Sequence, residues 1–349
     1  MELTEQEIKQ VDTEKMWDLL CTFPMHWTEI TGDTKDLHLK NLPDRIDNVC
    51  MSGMGGSAIG ANLLKGYGFF ECNIPVVVNR HYHLPEWVGE HTLVIASSYS
   101  GNTEEVIFSA EQALEQGCRP VCITSGGELR ELATRNDLDL IAIPGGMPPR
   151  TALAYSFIPM LRIFEACGLI ADKSGDIEET TELLHDQVET FSQLEDNEAL
   201  DLAESLKESL PVIYSGSPLM SPVGLRWQTQ FHENSKTLAF SNHFPEMTHN
   251  EIVGWEQIAH LTGRISVITL HDQDDDPRNT RRMEITEELI SNQTAAYFHV
   301  HTRGTNRLMR MFSLVQLADW TTYYLAILNQ TDPTPITKID LLKARLAEM

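Results

Sequence analysis

The sequence predicts an α/β protein of two doubly wound parallel-sheet halves, each a three-layer αβα stack. Three observations carry this. Short, β-branched apolar runs alternate with amphipathic helical stretches, the pattern of parallel strands joined by crossover helices. The chain has 349 residues, more than the roughly 250 to 300 at which a single core stops growing. A break rich in Pro and Gly, Pro144-Gly145-Gly146-Met147-Pro148-Pro149-Arg150, separates two such series. The boundaries predicted are 1–152 for the first half, 153–330 for the second and 331–349 for a C-terminal helix.

Taken in order, residues 5 to 30 read as one packing helix with Ile8, Val11, Met16, Trp17, Leu19 and Leu20 apolar. Asn48–Ser52 is a short strand running into a glycine loop, and a helix through Leu63-Leu64-Lys65 follows. Further strands are expected at Pro75–Asn79, Thr92–Ala96, Pro120–Thr124 and Asp139–Ile143. The stretch after Thr92–Ala96 reads as a helix, with Val106, Ile107, Ala110, Ala113 and Leu114 at helical spacing and Thr103 or Asn102 as its N-cap. After the break, a helix runs from Leu153 towards Ile170, and the acidic span 176–210 forms one or two more. Strands follow at 211–214, 237–240, 265–270 and 296–300, then a long apolar helix over about 309–328.

Composition narrows the function classes. A net charge of −25 leaves no basic stripe to displace counterions, which argues against nucleic acid. No apolar run reaches the ~18 residues of a membrane span, and the acidic start Met1-Glu2-Leu3-Thr4-Glu5 is unlike a targeting peptide. A cytoplasmic protein is expected. The six cysteines are scattered with no Cys-x-x-Cys pair, so neither a disulfide framework nor a zinc site is expected.

Two loops carry the candidate chemistry. Ser97-Ser98-Tyr99-Ser100-Gly101-Asn102-Thr103 joins an apolar strand to a helix that opens Glu104-Glu105. Free N–H groups and the hydroxyls of Ser98, Ser100 and Thr103 converge there, where a helix dipole favours negative charge. Gly53-Met54-Gly55-Gly56-Ser57-Ala58 repeats the device, its glycines letting the backbone approach a small substrate and Ser57 opening the helix. Side by side, two such helix ends suit a sugar phosphate. The same glycines match a dinucleotide fingerprint loosely. The strand ending Asn79-Arg80 offers no acid for a ribose hydroxyl, although Arg80 suits a 2′-phosphate. An NADP-dependent dehydrogenase therefore stays open as a second reading.

With these loops stand Pro149-Arg150, His232-Glu233-Asn234-Ser235-Lys236, Pro245-Glu246-Met247-Thr248-His249-Asn250-Glu251 and the terminal Ile339-Asp340-Leu341-Leu342-Lys343. Over nearly the whole chain this set resembles the bifunctional phosphoglucose/phosphomannose isomerases, built of two sugar isomerase (SIS) domains. The resemblance implies that hexose 6-phosphates isomerise through a cis-enediolate, with no cofactor and no metal. It implies that Glu233 is the base moving the proton between C2 and C1, and that Arg150 stabilises enediolate charge. His249, supplied across a homodimer interface, and Lys343 on the C-terminal helix would open the sugar ring; Lys338 competes with Lys343. Phosphate would fall to Gly55, Gly56, Ser57, Ser98, Ser100 and Thr103. Acceptance of both C2 epimers is attributed in the family to a small threonine, here Thr334 or Thr337. A non-catalytic SIS module that only binds sugar phosphate is the alternative, and a base at Glu233 separates the two.

Other features read as structural. His81-x-His83 and His299-x-His301 have ligand-like spacing on strands, but no Cys or third His is evident with them. The run Asp272–Asp276 reads as a solvated loop, and Trp227, Phe231 and Trp255 read as core or dimer packing.

Overall fold

The computed structural model describes residues 3–257, 263–346 and 348. Nine strands form two all-parallel sheets among the described residues, ordered β2-β1-β3-β4-β5 and β7-β6-β8-β9. The chain divides into two compact units. One comprises residues 22–182 and 306–309; the other comprises residues 1–21, 183–305 and 310–349.

The N-terminal helical stretch is three helices: α1 (Glu5–Val11), α2 (Met16–Cys21) and α3 (Phe23–Asp33). The single long helix fails where Lys15 takes φ +59° and where Pro24 falls in the first turn of α3. The Asp12 carboxylate accepts from the N–H groups of Met16 and Trp17, both at 2.8 Å, and so starts α2.

The first sheet contains β1 (Asn48–Ser52), β2 (Val76–Asn79), β3 (Thr92–Ser97), β4 (Val121–Thr124) and β5 (Leu140–Ala142), with α4 (Gly55–Gly68), α5 (Glu104–Glu115) and α6 (Gly127–Arg135) as crossovers. β3 is central and buried along its length, as a strand covered on both faces must be. Register sets Ser52 opposite Asn79 on one side and Ala96 on the other. The loops leaving β1 and β3 therefore emerge side by side at the carboxyl edge, where doubly wound sheets bind ligands.

Helix α7 (Leu153–Ala166) packs on α3 and α4, with Trp27 stacked 6.0 Å from Phe157. It thus lies in the unit of the first sheet, although the boundary expected at 152 puts it in the second half. The reason is the small-residue face of α4: a Cβ on Gly60 would stand 2.5 Å from the Ser156 hydroxyl, so only glycine admits α7 that closely.

In the other unit, α8 (Ser174–Phe191) and α9 (Glu198–Ser205) precede β6 (Leu210–Ser215), α10 (Ser221–Glu233), β7 (Phe240–His243), β8 (Ile265–His271), α11 (Pro277–Ile290), β9 (Ala296–His301), α12 (Arg307–Leu328) and α13 (Thr337–Leu346). Parts of α8 and α12 belong to the unit of the first sheet. The strand expected at 237–240 begins only at Phe240, because Ser235, Lys236 and Thr237 are spent ending α10. Trp227, Phe231 and Trp255 are buried, as are Trp320, Tyr323 and Tyr324, against which Trp17 packs edge-on. The Tyr323 hydroxyl donates to Asp12 at 3.0 Å, which is why the first 21 residues belong with this unit. No helix among the described residues is long and apolar enough to cross a membrane.

Candidate active site

In the unit of the first sheet, the two loops and Arg150 come together. Helix α4 starts at Gly55, with Met54 as its extended N-cap, so Ser57 stands in the first turn with its N–H directed at the Met54 carbonyl. A Cβ on Gly53 would meet the Ser97 carbonyl at 3.3 Å, which sets this loop against the end of β3. A Cβ on Gly56 would lie 2.6 Å from the Pro149 carbonyl and 3.4 Å from the Arg150 amide nitrogen. The close approach that glycine permits is thus taken by the 149–150 segment, not left open for a pyrophosphate. Arg80, the other support for a dinucleotide, donates to the Asn62 side-chain amide oxygen at 2.7 Å. Arg150 itself is 1 % exposed.

The serine turn is closed by its own hydroxyls. Ser98 Oγ donates to Thr103 Oγ1 at 2.8 Å and accepts from the Gly101 N–H, while Ser100 Oγ accepts from the Asn102 N–H at 3.2 Å. Thr103 is the N-cap of α5 by position, yet makes no side-chain cap bond. Glu104 and Glu105 sit in the first turn as the dipole prefers. Ser98 is buried, Thr103 half-buried and Ser100 exposed. Asn102, the other residue expected to cap α5, serves a different helix: its Oδ1 accepts from the Glu128 N–H and pins the turn to the start of α6. The Tyr99 hydroxyl accepts from the Met147 N–H at 3.1 Å and holds the segment before Arg150.

In the other unit, Glu233 is the last residue of α10 and half-buried. A carboxylate there sits at the negative end of a helix dipole, a poor place for stability alone. Asn234 donates to Thr322 Oγ1 at 3.0 Å and Ser235 to the Phe231 carbonyl at 2.9 Å, fixing the helix end. His249 closes a 3-10 turn (Glu246–His249) and is exposed. Its neighbour Glu251 is structural: it accepts from Tyr214 at 2.5 Å and from Asn242 at 2.6 Å. Burial, and then the Glu251 charge, push the Tyr214 phenol well above its ordinary range. Lys343 and Lys338 both lie exposed on α13, whose described residues bury no side chain. Thr334 is buried whereas Thr337 is exposed.

Two structural readings need correction. His271 ends β8 beside β9, so His299-x-His301 does have a third imidazole. His271 Nε2 lies 3.0 Å from His299 Nδ1 and its ring stacks on His301 at 4.7 Å, while His299 Nε2 is 3.1 Å from Glu287. Burial, then the two neighbouring imidazoles, hold His271 down to about 4. No group of three or more ligating side chains among the described residues is arranged to hold a metal ion. His81 and His83 lie beyond the end of β2 rather than on it. The acidic run is not merely solvated either: Asp272 is buried and accepts from Arg310 Nε at 2.8 Å and Thr302 at 2.9 Å, while Asp276 caps α11. These pairings join residues far apart in sequence and leave no local pattern.

Comparison with known proteins gives the same direction. Residues 195–346 match the model of the bacterial phospho-glucose isomerase C-terminal SIS domain. A bifunctional phosphoglucose/phosphomannose isomerase of Caldicellulosiruptor bescii is 45% identical over 90% of this chain and 94% of its own. One of Thermoplasma acidophilum is 35% identical over 86% of this chain and 90% of its own. Among solved structures, a hypothetical protein of Thermus thermophilus superposes with TM-score 0.76 at 18% identity, covering 99% of this chain and 94% of that one. A putative phosphosugar isomerase of Clostridium difficile gives TM-score 0.70 at 16% identity, covering 93% and 97%. These two establish the fold alone; the sequence relatives go further, and by them the chain belongs to the bifunctional phosphoglucose/phosphomannose isomerase family.

Proposed function

We propose that this protein interconverts glucose 6-phosphate, and mannose 6-phosphate, with fructose 6-phosphate by moving a proton between C1 and C2. The observation that carries the reading is the meeting of the Gly55–Ser57 helix start, the Ser98–Thr103 turn and Arg150 in one unit. Hydroxyls and helix N-termini there suit a phosphate tail. A planar guanidinium, with its donors set in a fixed fork, suits an oxyanion.

Glu233 takes the proton from C2 of the open-chain aldose. The electron pair left behind forms the C1–C2 double bond of an enediolate, with the former carbonyl oxygen bearing the charge. Return of the proton to C1 gives the ketose, and the hydroxyl proton passes from O2 to O1. Arg150 stabilises the enediolate. Lys343 and the partner subunit's His249 open the ring, which makes a homodimer the working unit, and α13 closes over the sugar as part of a C-terminal segment 331–349. Of the two threonines that could leave room for either epimer, burial favours Thr334. The placement is cytoplasmic, in the sugar phosphate reactions of glycolysis and gluconeogenesis.

The test is Glu233→Gln with fructose 6-phosphate as substrate, following both aldoses. Isomerisation should fall by about 10²-fold or more while sugar phosphate still binds. Full activity would remove Glu233 as the base, and a wild-type protein that binds without turnover would make this a sensor module.

A further inference from the structure

We propose that Lys236 is a positioning residue that ties the end of the helix bearing Glu233 to the segment leading into α13. The ammonium of Lys236 donates to three carbonyls: Glu233 at 2.8 Å, Asn234 at 3.2 Å and Pro333 at 2.7 Å. An ammonium has three donors, and each has an acceptor here. Two of those acceptors are the carbonyls of Glu233, the last residue of α10, and of Asn234, its C-cap, at the end where a helix leaves carbonyls without an internal donor. A cation there also offsets the negative end of the dipole that the Glu233 carboxylate shares.

The residue type is informative. Lys236 takes φ +54°, a conformation in which glycine or asparagine is the usual choice for ending a helix. Either would end the helix, and neither could reach Pro333. The strained backbone turns the long side chain back across the helix end, so the sequence accepts strain in order to keep the ammonium at this place. The far side is anchored as well: Asp332 accepts from the Thr13 N–H at 3.2 Å and from the Thr334 N–H at 3.0 Å, and Thr334 beside Pro333 is buried. Charge-assisted bonds thus join the carboxylate's helix to the segment that leads to Lys343.

This rests on Glu233 being the base, and it predicts that the ammonium sets turnover more than substrate binding. In the full-length protein, Lys236→Met should lower kcat for fructose 6-phosphate about tenfold, with KM changed less than about twofold. It should raise backbone deuterium uptake over residues 331–336. Lys236→Arg, which keeps a cation and its donors, should recover most of the turnover and the protection. Should Lys236→Met fail to fold, Lys236→Gln supplies the same two readouts with an uncharged donor. Normal uptake over 331–336, or a loss that appears in KM and not in kcat, overturns the proposal. A fully active Glu233→Gln enzyme, by contrast, overturns the base assignment and leaves the uptake result standing, so the two failures are distinguishable.

Discussion

Arg226 on α10 and Asp319 on α12 form a buried two-point ion pair, with Nε to Oδ1 at 3.1 Å and Nη2 to Oδ2 at 2.9 Å. The helix that ends in Glu233 is therefore clamped to the long apolar helix about two turns before that end. Arg226→Met leaves a buried carboxylate without its main partner and should cost about 3 to 5 kcal/mol, lowering Tm by on the order of 10 °C. Adding Asp319→Leu should restore much of that stability, because both desolvated charges are then gone. A thermal melt of the single and double variants checks both.

The serine turn depends on close backbone approach at a glycine. Gly101 has φ +73°, and a Cβ there would fall 1.7 Å from the Gly126 carbonyl. Since the obstacle is backbone, neither segment can yield cheaply. Gly101→Ala should displace the turn from α6 and raise KM for fructose 6-phosphate at least about tenfold, with a stability loss of about 2 kcal/mol or more. Unchanged KM and Tm would show that the turn tolerates rearrangement and does not grip the phosphate.

Asp275 gives stability a dependence on pH that runs opposite to the usual carboxylate. Burial raises its carboxyl from 3.8 to about 6, and the Asp272 N–H bond at 2.9 Å only partly offsets this. The raised group contributes stability that is fully present below pH 3.8 and lost as pH rises through 6. Asp275→Asn should therefore stabilise the protein by about 1 to 3 kcal/mol at pH 7.5 and change it little at pH 4. Denaturant midpoints at the two pH values measure the difference.

His271 works in the other direction. The unfolded imidazole binds its proton near 6.5 and the native one only near 4. Stability is retained above 6.5 and lost as pH falls from there towards 4, by up to about 3 kcal/mol less the part of the ring that water still reaches. His271→Gln should flatten that slope. An unaltered slope would place the acid sensitivity elsewhere.

The strand ends and the hydroxyl-rich loops are readable because each is a local arrangement. Ser98, Ser100, Thr103 and Ser57 lie within a few residues of the starts of α5 and α4. The single helix expected over 5–30 and the strand expected at 237–240 fail for a related reason: Lys15 and Lys236 turn the chain with positive φ values that neither residue type advertises.

What the amino-acid sequence determined alone was the alternation of strands and helices, the glycine- and hydroxyl-rich turns where β1 and β3 run into their helices, and the set of residues that resemble the family's motifs. These follow from period, propensity and short spacing, which survive without knowledge of the third dimension. Only the tertiary structure decided that α7 belongs with the first sheet and residues 1–21 with the second, that His271 joins His299 and His301, and that Lys236 reaches Pro333. Those are contacts between residues tens to hundreds of positions apart. They form because packing brings the residues together, and no local pattern in the chain records them.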